Sequence, residues 1–239
     1  MAQSNDMSSD RSPYGYRDLT RLIGLMTGDE KHSVSATSTL DVLWVLYDRV
    51  LKIDSTEPDA EDRDRFLLSK GHGPMAYYAV LAAKGFFDEE GLRSFAQYDS
   101  PFGLHPDRNL LPGVEISSGS LGHGLPIAVG MTLGLRAKGN DESRVFCLVG
   151  DAELDEGTNQ EAIVAAARFG LDRLTVIVID NRSASLRWPG GIAERFAVEG
   201  WSNATVDGRD HDALDEALTA PHSEMPHAVV ATVESKYGG

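Results

Sequence analysis

Residues 150–181 read GDAELDEGTNQEAIVAAARFGLDRLTVIVIDN, and this stretch decides the fold. An apolar run, Val145-Phe146-Cys147-Leu148-Val149, passes directly into Gly150-Asp151. A second run, Leu174-Thr175-Val176-Ile177-Val178-Ile179, passes directly into Asp180-Asn181. Both have strand length and composition, and the Ala-rich segment Thr158 to Phe169 between them has helix length. Strand, helix and strand form a crossover joining parallel strands. Parallel strands end on one edge of the sheet, where α/β proteins bind ligands. Asp151 and Asn181 are therefore expected side by side on that edge. A carboxylate and an amide oxygen are hard donors suited to Mg²⁺ or Ca²⁺. On spacing alone, the two residues serve equally well as turn formers in a plain βαβ unit. An EF-hand starting at Asp151 fails, because Gly157 falls one place late and Ala162 stands where a bidentate Glu is needed.

Outward from this unit the chain keeps alternating. Residues 1–13 read as a disordered tail ahead of a single domain over 14–239. Helices are predicted over Tyr16–Met26, Leu40–Leu51, Pro74–Lys84 and Asp88–Gln97. Gly122–Lys138 is predicted to be a buried helix rich in small residues. Arg65–Leu68 is a short strand, and Ser100–Gly119 a long loop. After the central unit come a loop over Arg182–Gly191 and helices at Ile192–Val198 and His211–Leu218. Strands are expected near Ala204–Val206 and at Ala228–Val233. Strands alternating with helices imply an α/β fold, with a mostly parallel central sheet and helices on both faces.

The chain's 239 residues suffice for a substantial core, and 41% hydrophobic with 25% charged residues is ordinary for a globular protein. A formal charge of −15 and no Lys/Arg stripe argue against nucleic acid as a partner. The single cysteine, Cys147, lies within an apolar strand and suits a reducing, cytoplasmic setting. The polar N-terminus lacks the apolar core of a signal peptide. No apolar run approaches the roughly 18 residues needed to span a membrane.

Two loops share the chemistry of the Asp151–Asn181 edge. Ser69-Lys70-Gly71-His72-Gly73 joins a strand to a helix, and Ser117-Ser118-Gly119-Ser120-Leu121-Gly122-His123-Gly124 opens another helix. Backbone N–H groups at such turns favour anions, and glycine permits close approach. A diphosphate needs a divalent cation and several N–H donors, and this chain offers both.

The segment from Gly150-Asp151-Ala152 to Asp180-Asn181 resembles the thiamine diphosphate motif, with Ala152 in place of its second Gly. DRDRFLLSKGHG (62–73), LHPD (104–107) and PGVEISSGSLGHG (112–124) resemble transketolase segments in the same order, and the likeness runs from about Arg17 to Tyr237. The resemblance implies a thiamine-diphosphate-binding fold and the N-terminal, diphosphate-binding half of a split transketolase. It implies that Asp151, Asn181 and the backbone oxygen of Ser183 ligate Mg²⁺, with Ca²⁺ as a substitute. His72, Gly119, Leu121, Gly150, Asp151, Ala152 and Asn181 would contact thiamine diphosphate. His32, His72 and His105 would bind substrate or move protons, and Glu156 would join a carboxylate network linking paired sites. The family's activity moves a two-carbon ketol unit from a ketose, often a phosphate, to an aldose.

The chain departs from the family around His32, which lacks the usual flanking Gly and Pro. It also departs at Gly103-Leu104-His105, at His123, at Asp155 and in the loop RSASLRWPGG (182–191). Two alternatives fit the same fold: an α-type subunit of a 2-oxo-acid dehydrogenase, and a scaffold subunit without catalysis. The resemblance further implies a separately encoded C-terminal subunit holding the pyrimidine ring, in an α₂β₂ assembly. The final predicted strand lies close to Gly239, so this chain alone is expected not to catalyse. At Ala152 a negative φ is expected, since a left-handed backbone would strain its methyl group.

Overall fold

A computed structural model describes residues 14–28, 37–186 and 188–236. The expected tail over residues 1–13 and the candidate residue His32 lie outside them. Five strands, β1 (Arg65–Leu68), β2 (Val145–Gly150), β3 (Leu174–Asp180), β4 (Ser202–Asp207) and β5 (His227–Thr232), form one sheet in the order β1-β2-β3-β5-β4. Every neighbouring pair is parallel. The α/β expectation holds, and the carboxyl ends of all five strands share one edge.

Side chains alternate between the sheet's two faces, as the period of two requires. Phe66, Leu68, Phe146, Leu148, Ile177, Ile179, Val229 and Ala231 join one core, beneath α1 (Leu19–Leu25), α2 (Leu40–Val45), α3 (Pro74–Ala83) and part of α7 (His211–Thr219). Leu67, Val145, Cys147, Val149, Val176 and Val178 join the other, beneath α4 (Gly124–Ala137), α5 (Gly157–Arg168) and α6 (Ile192–Ala197). The central strands are buried on both faces, which is why they read as unbroken apolar runs. Strand β4 sits at the sheet's edge, and its burial alternates along its length.

Helix α5 shows how the crossover is built. Asn159, Ala162, Ile163 and Ala166 form its buried stripe at helical spacing. Gly170, at φ +55°, then ends it: the Leu171 N–H reaches back to the Ala166 carbonyl and the Gly170 N–H to Ala167. All ten residues of α3 are buried, which accounts for its small and aromatic composition.

Two expectations need correction. The helix expected over Asp88–Gln97 is only a 3₁₀ segment, Glu89–Ser94, because Ala96 and Asp99 adopt positive φ and turn the chain. Helix α4 is not buried all round. Leu125, Ala128, Val129 and Thr132 face the core, whereas Ile127, Gly130 and Gly134 lie open. Apart from the helix's own adjacent backbone, no described atom comes within 4 Å of where a side chain would start at Gly130 or Gly134. Among the described residues no helix is long and apolar enough to cross a membrane.

Candidate functional site

The ends of β1, β2 and β3 meet where the sequence places its chemistry. β2 and β3 pair up to Gly150 and Ile179, and the Asp151 N–H continues the ladder to the Ile179 carbonyl at 3.1 Å. Asp151 and Asn181 thus emerge together at this edge, both 2% exposed. Asp151 caps a 3₁₀ segment, Ala152–Asp155. Ala152 opens that segment and is absent from the described non-glycine residues with positive φ, in line with the expected backbone.

The Asp151 carboxylate organises the loop after β3. Its Oδ2 accepts from the backbone N–H of Ser183 at 2.6 Å and of Ala184 at 3.1 Å, and its Oδ1 from the Ser183 hydroxyl at 2.5 Å. Ser183 is therefore at the site, but it turns an N–H and a hydroxyl toward Asp151. Nearby, the Ser185 hydroxyl and the N–H groups of Ser185 and Leu186 donate to Asp155. Two departures from the family pattern, at Asp155 and in the loop over residues 182–191, meet in this contact.

Among the described residues the Asn181 side-chain oxygen is buried without a hydrogen-bond partner. A buried acceptor left unpaired costs about 1–3 kcal/mol, so such atoms call for an explanation. Beside Asn181, the Asp151 carboxylate completes a pair of hard oxygen donors of the kind Mg²⁺ prefers.

The two glycine-rich loops lie against this corner. A Cβ placed on Gly71 would stand 3.3 Å from Leu121, and one on Gly119 (φ +128°) only 2.7 Å from the His105 ring. His72, His105, Gly119 and Leu121 are thereby gathered at one place. The same test on Gly122 (φ +79°) meets the Glu156 and Thr158 side chains below 3 Å, which brings Glu156 to its rim. His72, His105 and Glu156 are exposed, as groups that meet a ligand must be.

Residues 25–236 match the family described as transketolase, thiamine diphosphate binding domain. The chain belongs to the transketolase family. One subunit of the apulose-4-phosphate transketolase of Actinobacillus succinogenes is 39% identical over 214 residues, spanning 87% of this chain and 77% of that one. A Rhodococcoides fascians protein named ferredoxin fas2 is 54% identical over 231 residues, 97% of this chain and 76% of its own length. That name does not transfer on chemistry: iron–sulfur clusters take four ligands, mostly thiolates, and here one cysteine lies buried in β2. The transketolase of Leishmania mexicana superposes with a TM-score of 0.75 at 26% identity, over 91% of this chain. The present chain spans only 36% of that transketolase.

Two buried charges in the transketolase-like site escaped the sequence reading. Glu153 is 2% exposed and Lys70 7%. Burial pushes the Lys70 amine down to about 8, opposed by the negative charges of Asp151 and Glu153. The Lys70 ammonium donates to the His72 carbonyl, and its stem runs across Gly150, about 3.4 Å from a Cβ placed there. Burial likewise raises the Glu153 carboxyl, against hydrogen bonds from Ser69, Gly122 and Gly150 and the charge of Lys70. Acidic and basic residues are rarely buried unless paired. The available signal was that both stand close to glycines at strand ends.

Proposed function

We propose that this chain is the diphosphate-binding subunit of a split transketolase, with residues 14–239 as a single domain working in the cytoplasm. With thiamine diphosphate and Mg²⁺, which Ca²⁺ can replace, it would transfer a two-carbon ketol unit from a ketose or ketose phosphate to an aldose. The observation that carries this reading is the unpartnered, buried Asn181 oxygen beside Asp151. Asp151 and Asn181 hold the metal. The Ser183 backbone oxygen would join them as a third protein ligand. His72 and the backbone at Gly119, Leu121, Gly150 and Ala152 line the diphosphate.

When bound, the cofactor supplies the carbon nucleophile that carries the two-carbon unit. The chain's own residues bind, orient and move protons. His105 and His32 hold substrate hydroxyls, and an imidazole can both donate and accept a proton. Glu156 passes charge toward a second site.

The Actinobacillus relative is named as one part of a transketolase built from more than one chain, which supports a separately encoded, pyrimidine-binding companion. So does the open face of α4, where Ile127 is 43% exposed. An α₂β₂ assembly would cover it.

The test is to purify the chain alone and with its companion, add thiamine diphosphate and Mg²⁺, and assay ketose phosphates with aldose acceptors. Ketol transfer is expected only from the pair. Turnover by this chain alone would refute the split enzyme. Oxidation of pyruvate by the pair would favour the 2-oxo-acid dehydrogenase reading, and absence of cofactor binding the scaffold.

A further inference from the structure

We propose that Glu153 is the positioning residue of this site: its buried carboxylate fixes the two glycine-rich loops against the Gly150–Asp151 corner, and cofactor affinity depends on it. The proposal rests on the thiamine diphosphate reading above. Glu153 Oε1 accepts from the Ser69 hydroxyl at 2.5 Å and from the Gly122 N–H at 3.0 Å, across 84 and 31 positions of sequence. Oε2 accepts from the Gly150 N–H at 3.2 Å. Ser69 passes the constraint on, because its hydroxyl oxygen also accepts from the Gly124 N–H at 3.0 Å, at the start of α4. The three segments joined in this way carry His72, Gly119 with Leu121, and Asp151 with Ala152.

The chemistry requires a carboxylate. All three partners donate, so both side-chain oxygens must accept. A glutamine offers one acceptor and would point its NH₂ at a donor. Cohesion alone does not explain the choice, since well-packed apolar residues often match or exceed a buried charge in stability. Fixing the direction of several N–H groups at once is what a buried, multiply bonded carboxylate does, and that is preorganisation for an anion. Lys70, close enough to feel Glu153, offsets the charge without using either oxygen in a hydrogen bond.

The experiment is calorimetric titration of the full chain with thiamine diphosphate in Mg²⁺, paired with amide hydrogen exchange of the unliganded protein. Glu153→Gln is expected to weaken binding by about 10–100-fold, the range seen when groups supporting metal ligands are removed. It should also speed exchange at Gly122 and Gly150 while unfolding stays cooperative. Ser69→Ala removes only the hydroxyl bridge and should give a smaller loss of affinity with faster exchange at Gly124; it decides the matter if Glu153→Gln does not fold. Wild-type affinity in Glu153→Gln, or in Ser69→Ala where that variant decides, would overturn the proposal and leave the cofactor reading standing. Absence of binding in the wild type would bring down both.

Discussion

Replacing Asn181 by leucine should have opposite effects on stability and on binding. Among the described residues the Asn181 side-chain oxygen is buried and has no partner. Leucine is close in size and carries no polar atom, so the substitution removes an acceptor that costs about 1–3 kcal/mol when left unpaired. The Asn181 backbone carbonyl keeps its bond from the Lys236 N–H at 2.9 Å. Allowing for imperfect packing of the new side chain, Asn181→Leu should match or exceed the wild type by about 1 kcal/mol. For a chain of this size that is roughly 2–4 °C in Tm. The same change removes a metal ligand. Mg²⁺-dependent affinity for thiamine diphosphate should fall by at least the roughly 10–100-fold that follows loss of a group merely supporting a ligand. Thermal unfolding in EDTA and calorimetric titration with Mg²⁺ measure the two effects separately. Unchanged cofactor affinity would refute the metal assignment. A Tm several degrees below the wild type would refute the claim that the oxygen is an unpaired burden. Asp151→Ala provides the contrast. It strips an acceptor from the Ser183 and Ala184 N–H groups, so it should lose stability even without metal. Two ligands of one cation are thus expected to move unliganded stability in opposite directions.

Other outcomes follow from particular contacts. Gly119→Ala combines φ +128° with a Cβ 2.7 Å from the His105 ring; about 1–3 kcal/mol of strain is expected, with a larger rise in substrate KM than in cofactor Kd, measured by steady-state kinetics beside calorimetry. Asp41 is 5% exposed and accepts from Tyr16 at 2.6 Å, Arg209 at 2.5 Å and His211 at 2.8 Å. Asp41→Ala should cost about 1–3 kcal/mol by leaving the Tyr16 hydroxyl and one edge of the Arg209 guanidinium short of an acceptor, although Glu234 still pairs that guanidinium; denaturant unfolding with wild-type stability would contradict that. His227 is buried, with Nδ1 at the Ser202 hydroxyl and Nε2 at the Ala217 carbonyl, and burial, then the neighbouring His222, holds its pKa below 6.5. Its unfolded form binds a proton first, so its contribution is complete above pH 6.5 and is lost as pH falls below that value. Melting curves between pH 7.5 and 5 should therefore fall less steeply in His227→Gln, and parallel slopes would refute the assignment.

How far the sequence reached depends on which forces act locally. The crossover from Val145 to Asn181 was legible because its strands are buried on both faces and its helix repeats its apolar stripe at the helical period; both patterns survive in the letters alone. The meeting of Asp151 and Asn181 then follows from topology, since parallel neighbours must end together. What the letters concealed was settled by contacts between distant segments. The sequence around Glu153, ELDEG, looks like a solvated acidic turn, and only the arrival of Ser69 and Gly122 from elsewhere makes a buried carboxylate tolerable there. Helix α4 failed in the opposite sense. Its apolar composition read as burial on every side, yet Ile127, Gly130 and Gly134 stand open. Apolar residues record that a face is to be covered, not which chain covers it. The omission and the misreading share a cause: burial is a property of the assembled surface, and local sequence reports it only when the covering element is itself local. The open face of α4 and the unpartnered oxygen of Asn181 are then the same kind of evidence. Each is a group left without a neighbour among the described residues, and the proposed companion chain and cation are what the two tests above would look for.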